Sequence, residues 1–145
     1  MNDRVFLEIV NAENSIDTIR KLNVKFLEFA REHSTPERLP TKLEVTDEGI
    51  TVHCFGHNAE AKHRVVRTGD GEFLIEYVFL VAQDEDRHEV FRFYLTTDGG
   101  LYESLEPSSR ICDFNNQYLA KHICFRILSS VLKSSIFAPL PKTGH

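Results

Sequence analysis

Two adjacent stretches rich in β-branched and aromatic residues constrain the fold of this chain more than any other feature. They cover residues 72–82 and 89–97, and a short acidic stretch separates them. Runs of this composition around a turn predict a β-hairpin. Because successive side chains of a strand point to opposite faces, the pairing register decides which of them are buried.

An odd number of loop residues places the aromatic side chains of the hairpin on one face. That face then carries Phe73, Ile75, Tyr77, Phe79, Val81, Phe91, Phe93 and Leu95. An even number would bury Arg92 among them without a partner, which is costly. We therefore predict an odd loop and a wholly apolar core face.

The opposite face of the hairpin combines polar and apolar side chains. It carries Leu74, Glu76, Val78, Leu80, Val90, Arg92, Tyr94 and Thr96. Glu76 and Arg92 are close enough to meet diagonally across the two strands. The face is interpreted as a pocket floor, a subunit interface or a solvated surface with an ion pair. Its candidate binding or interface residues are Glu76, Val78, Leu80, Arg92 and Tyr94.

Helices are predicted on both sides of the strands. Apolar residues recur at steps of three and four from residue 16 to residue 30, which indicates an amphipathic helix with Ser15 as N-cap and an end near His33. Residues 5–10 fit either a short helix or an edge strand. A second, long helix is predicted over 113–134. Its apolar arc is so wide that it lies between the sheet and the first helix, or contacts another subunit.

The remaining segments predict a sheet. Residues 43–45 and 50–54 alternate with period two and form a hairpin, 58–67 fit a strand or a short helix, and 101–105 fit a short strand. Residues 34–40 contain two prolines and are interpreted as an internal linker. The prediction is a single α+β domain, 1–145, with a flexible tail at 139–145. It has an N-terminal helix, an antiparallel meander of five or six strands, and a long C-terminal helix packed on one sheet face.

Composition and charge narrow the functional class. The net charge of −5 makes nucleic-acid binding unlikely, because that function usually needs a basic face. Three cysteines without a closely spaced pair favour a reducing, cytoplasmic location. The apolar run near the N-terminus is too short for a signal peptide or a membrane span, so we expect no membrane association.

Few residues suggest metal or catalytic chemistry. His53, His57 and His63 are weak candidates for zinc ligands, and a turn near Gly56 could bring the first and last together. No second Cys or His pair completes such a site, so no metal and no cofactor are predicted. Cys112 falls at the start of the predicted last helix, where the helix dipole favours a thiolate, but His122 lies more than two turns along the same helix, too far to act as its base, and only a histidine from elsewhere in the fold could serve. Catalytic residues are therefore not assigned, and the balance is against an enzyme.

The leading hypothesis is a non-enzymatic binding protein, such as an adaptor, an inhibitor or a chaperone-like protein, that acts on a protein partner as a homodimer. The order of elements is similar to that of secretion chaperones with a helix-flanked sheet, an analogy of architecture only. The alternative is a small-molecule-binding or enzymatic domain with a cavity between a curved sheet and the C-terminal helix. Tyr77, Phe79, Phe91 and Phe93 would line that cavity, with Glu76, Arg92 or Tyr94 as polar contacts in the other register.

Overall fold

The computed structural model describes residues 2–137, which form an N-terminal helix, an antiparallel sheet and a C-terminal helix. In chain order the elements are α1 (Asp3–Glu32), β1 (Leu43–Val45), β2 (Gly49–Cys54), β3 (His57–Arg67), β4 (Phe73–Gln83), β5 (Asp86–Leu95), β6 (Gly100–Tyr102), β7 (Arg110–Asp113) and α2 (Leu119–Lys133). Each strand pairs with its neighbour in sequence. The predicted α+β class is confirmed, although the sheet has seven strands rather than five or six. The predicted tail at 139–145 lies outside the described residues.

The additional strand is β7, whose last residue, Asp113, was predicted as the start of the last helix. Cys112 pairs with Leu101 of β6, and the backbone N–H of Phe114 donates to the carbonyl of Gly99 at 2.8 Å. These sheet bonds occupy the backbone groups that a helix would need. The last helix therefore begins at Leu119 and not near Asp113.

The first helix is longer than predicted. It begins at Asp3 rather than after Ser15, and the side chain of Asn2 caps it by accepting a hydrogen bond from the backbone N–H of Arg4 at 2.9 Å. Residues 5–10 are thus helical. The second ambiguous segment, 58–67, lies in strand β3.

The hairpin of β4 and β5 reaches the predicted register by an unexpected route. Its loop contains two residues, an even number, and near that loop Gln83 pairs with Asp86. A β-bulge between the pairs Leu80–Glu89 and Phe79–Phe91 then leaves Val90 as the extra residue. Because the bulge adds one residue to β5, the aromatic stretches pair in the register that an odd loop would produce. Val90 is only 9% exposed and belongs to the core, so its prediction for the mixed face was wrong.

Both helices cover the same face of the sheet. Helix α1 contacts β1 and β4, whereas α2 contacts β2, β5 and β7, so the sheet curls around the two helices. The core is filled by aromatic rings: Phe26 meets Tyr77 and Phe93 edge-on, and the last two rings stack with centroids 4.8 Å apart. The Tyr77 hydroxyl donates to the buried side-chain oxygen of Asn23.

Helix α2 packs directly on the sheet and does not lie beneath α1. One apolar stripe is wholly buried and comprises Leu119, Ile123, Ile127 and Val131. The rest of the predicted apolar arc is covered only in part: Leu128 is buried, but Tyr118, Phe125 and Leu132 are each more than half exposed.

Candidate binding face

The side of β3, β4 and β5 that faces away from both helices forms an open groove of about 670 Å³. We call this side of the sheet the helix-free face. The groove is lined by Gly56, His57, Asn58, Glu60, Lys62, Arg64, Glu76, Val78, Leu80, Ala82, Arg87 and Arg92. Four of the five residues predicted as binding candidates are in this lining. The fifth, Tyr94, pairs with Glu76 across β4 and β5.

Glu76 is the most deeply buried polar side chain of the helix-free face. Only 6% of its side chain is exposed, and each carboxylate oxygen has an arginine donor. Arg64 Nε lies 2.7 Å from Oε1, and Arg92 Nη1 lies 3.3 Å from Oε2. A buried carboxylate is tolerated when charged hydrogen bonds satisfy both of its oxygens. The predicted diagonal contact with Arg92 therefore exists, and Arg64 completes it from the neighbouring strand.

Arg92 is fixed by three partners. Its Nε donates to Glu89 Oε2 at 3.2 Å, Nη2 donates to the other oxygen of the same carboxylate, and Nη1 donates to both Glu76 and the Tyr94 hydroxyl. The hydrogen bonds to Glu89 and Tyr94 raise the pKa of the Arg92 guanidinium above its usual value. A permanent positive charge is therefore held in one orientation beside the groove.

The groove also contains an apolar strip and cations without an acidic partner. Val78, Leu80 and Ala82 follow one another on the same side of β4 and remain partly or fully exposed. Among residues 2–137, Lys62 and Arg87 form no ion pair and are exposed. Lysine and arginine side chains in the lining outnumber glutamates four to two, although the whole chain is acidic. Glu89, which binds Arg92, also lies on this side of the sheet, so the helix-free face has an apolar centre and a small excess of positive charge.

Comparisons with protein-family models, curated proteins and solved structures found no match. Within the described chain, no helix is long and apolar enough to cross a membrane.

The sequence analysis missed the cationic residues that complete the groove, above all Lys62, Arg64 and Arg87. The first two lie on β3, where Glu60 pairs with Leu80 and Arg64 pairs with Glu76. If 58–67 is taken as a strand, alternation places Lys62 and Arg64 on the face opposite Ala59 and Ala61, so the sequence itself could have indicated both cations. Arg87 was assigned to the loop, whereas β5 already begins at Asp86.

The three candidate metal-ligating histidines are separated in the structure. His53 Nε2 contacts Glu44 Oε1 at 2.9 Å, and His63 Nε2 lies 2.8 Å from the carbonyl oxygen of Asp47. The turn near Gly56 does not bring His53 and His63 together, because His53 pairs with Asn58 and strand alternation places His63 on the other face. The His57 ring instead packs edge-on against Phe137.

We expect the purified protein to contain less than one zinc per chain. Among residues 2–137, no group of three His, Cys, Asp or Glu side chains is arranged to hold a metal ion. Elemental mass spectrometry of the protein, before and after dialysis against a chelator, measures this directly. One equivalent of zinc that disappears in His53→Ala but remains in His33→Ala would contradict the expectation.

The cysteines are buried and unactivated. Cys112 lies in β7 rather than at a helix N-terminus, and desolvation raises the pKa of its thiol to about 11. Burial likewise raises the pKa of Cys124 to about 12 and that of Cys54 above its ordinary value. A thiol with a raised pKa is a poor nucleophile near neutral pH.

Proposed function

We propose that this chain is a non-enzymatic interaction protein that binds an acidic segment of a protein partner through the helix-free face and acts as a homodimer. The observation that carries the proposal is the groove itself: an apolar strip on β4 between cationic side chains, on a chain whose net charge is −5. We place this function in the cytoplasm, since all three cysteines are free thiols.

The charge pattern supports a protein ligand with acidic and apolar side chains. Exposed Lys62 and Arg87 attract carboxylates and steer association, whereas Val78 and Leu80 offer apolar area for burial. The clamp of Arg64 and Arg92 around Glu76 stabilises this arrangement before any ligand arrives. Preorganised side chains reduce the entropy that binding would otherwise lose.

An internal ligand cavity receives less support. The register places Tyr77, Phe79 and Phe93 on the core face, while Glu76, Arg92 and Tyr94 lie on the other face. The apolar and polar groups of the alternative hypothesis therefore do not line one cavity. The three core rings are completely buried against the helices and one another.

Self-association is supported by apolar side chains outside the groove. Large hydrophobic residues that remain at least 40% exposed are concentrated on the helices and include Val5, Phe6, Leu7, Ile9, Val24, Tyr118, Phe125 and Leu132. Contiguous apolar patches on a soluble protein commonly mark interaction sites. A second copy of the chain would cover such a patch without occupying the helix-free face.

The partner-binding part is tested by charge reversal in the groove. A photo-crosslinking amino acid at Ala82, which is exposed, is introduced into the wild type and into Lys62→Glu/Arg87→Glu. We expect a discrete protein adduct in the native host that becomes at least about tenfold weaker in the double variant, as removal of two favourable charges predicts.

The matched control is Lys25→Glu/Lys133→Glu, which changes the net charge equally on the exposed surfaces of the two helices. It should retain the adduct, and circular dichroism should show that both double variants are folded. Equal loss in the two variants would show only a general charge effect. That result, or the absence of any adduct, would contradict the proposed binding face.

A further inference from the structure

Helix α1 carries a regular apolar stripe along most of its length. The stripe consists of positions separated alternately by four and three residues, apolar except for Asn23: Val5, Ile9, Ala12, Ile16, Ile19, Asn23, Phe26 and Ala30. This spacing is the heptad pattern of helices that pack side by side. The signal was present in the sequence, but the predicted helix began too late to include its first half.

Only the C-terminal half of the stripe is covered by the sheet. Ile19, Asn23, Phe26 and Ala30 are buried, whereas no residue of α1 before Ile19 is buried. Val5 is 45% exposed and Ile9 is 58% exposed. Residues 3–18 thus extend the helix by about 24 Å, at 1.5 Å per residue, without core contacts. We call this segment the free half of α1.

A helix of this length and composition needs a partner. Isolated helices of about 15 residues are marginal in water even with favourable sequences. The free half contains Val5, Phe6, Ile9 and Val10, and β-branched and aromatic residues are not the strongest helix formers. Packing of its apolar stripe is therefore the natural source of its stability.

We propose that the free half of α1 pairs in antiparallel orientation with the free half of a second copy of this chain. Val5 of one copy then packs against Ile16 of the other, and Ile9 packs against Ala12. A two-fold axis repeats both layers, which gives a closed, isologous interface. This proposal rests on the homodimer of the proposed function and assigns its interface, but it does not depend on the groove.

Charge distinguishes the antiparallel pair from the parallel one. In a parallel heptad pair, Glu8 of each helix would lie beside Glu13 of the other, and both contacts are repulsive. In the antiparallel pair, Glu8 lies near Ser15 and Glu13 lies near the apolar Phe6. The flanking residues therefore favour the antiparallel arrangement of two identical helices.

The area available is sufficient for a modest dimer. Val5 and Ile9 are about half exposed and Ala12 and Ile16 less so, and the flanking Phe6 is 54% exposed. The total buried surface therefore lies below the roughly 1,200 Å² of standard specific interfaces, in the range of weak complexes. We expect dissociation in the micromolar range, which sedimentation equilibrium measures well.

The test compares two substitutions on the same turn of the helix. Ile9 and Leu7 are equally exposed, at 58%, but only Ile9 belongs to the stripe. Ile9→Glu should weaken the wild-type dimer on the order of 100-fold, because it places two carboxylates in the apolar layers. Leu7→Glu should leave dimerisation unchanged. Circular dichroism checks that both variants retain the fold.

Disulfide trapping tests the orientation. Val5→Cys and Ile16→Cys should each remain uncrosslinked alone, while a mixture of the two should form a covalent dimer under mild oxidation. The native thiols are buried and do not compete. Covalent dimers from Val5→Cys alone would indicate parallel helices and overturn the proposal.

The remaining outcomes separate this inference from the proposed function. A wild type that is monomeric at high micromolar concentration overturns both the interface and the homodimer. A dimer that survives Ile9→Glu overturns this interface alone, and Phe125→Glu would then test the exposed side of α2. Adduct formation through Ala82 reports on the groove independently of either result.

Discussion

Replacing Phe93 by alanine is expected to lower the free energy of unfolding by about 3–5 kcal/mol. Phe93 is completely buried, and its ring lies between 4.8 and 6.2 Å, centroid to centroid, from the four rings of Phe26, Tyr77, Phe79 and Phe91. Truncation therefore removes contacts to α1 and to both strands of the central hairpin. The close-packed surroundings cannot collapse into the cavity without moving several rings.

Urea denaturation of the variant, followed by circular dichroism, measures this loss. Phe125→Ala is the matched control, because Phe125 is 59% exposed and should lose less than about 1 kcal/mol. Similar losses for both variants would mean that the aromatic face of the sheet is not the core.

Among the glycines that the structure describes, Gly49 should be the most sensitive to replacement by alanine, with a loss of about 3 kcal/mol or more. A Cβ atom at Gly49 would lie 1.9 Å from the carbonyl oxygen of Ala61 and 2.9 Å from its carbonyl carbon. Both contacts are with backbone, so no side-chain rotation can relieve them. Strands β2 and β3, which pair Gly49 with Lys62, would have to separate.

Gly69→Ala provides the comparison, since a Cβ atom there meets nothing within 4 Å. It should change the midpoint of thermal unfolding by no more than a few degrees, whereas Gly49→Ala should lower it by about 10 °C or more. A tolerated Gly49→Ala would contradict the close approach of β2 and β3.

The faces of the central hairpin were predictable because burial of Arg92 among aromatic rings carries a large penalty. This penalty predicted the register in which Tyr77 lies opposite Phe93, and the structure has that pair. The bulge at Val90 was not predictable, because hydrophobic alternation gives the final register and not where the extra residue is inserted. The predicted odd loop and the observed even loop with a bulge satisfy the same burial requirement.

Strand β7 was not predicted, for a different reason. Phe114 and Tyr118 continue the apolar spacing of α2, so local periodicity extended the helix too far towards the N-terminus. Arg110–Asp113 forms a strand because it pairs with β6. The local sequence indicates that pairing only weakly. The site was predicted in part for the same reason: the β4 and β5 residues followed from the hairpin, but Arg64 required the β3 pairing.

The strictly sequential strand order has a consequence for synthesis of the chain. Each strand finds its partner among residues just completed, so the sheet can grow in the direction of translation. The residues of helix α1 are made first. Asn23 can become buried only after Tyr77, 54 residues later, and the aromatic residues of β5 have been synthesised. Until those strands are made, no sheet is present to cover the apolar stripe of α1. Early pairing of stripes between neighbouring nascent chains on one polysome would shield it, and would couple assembly of this protein to its translation.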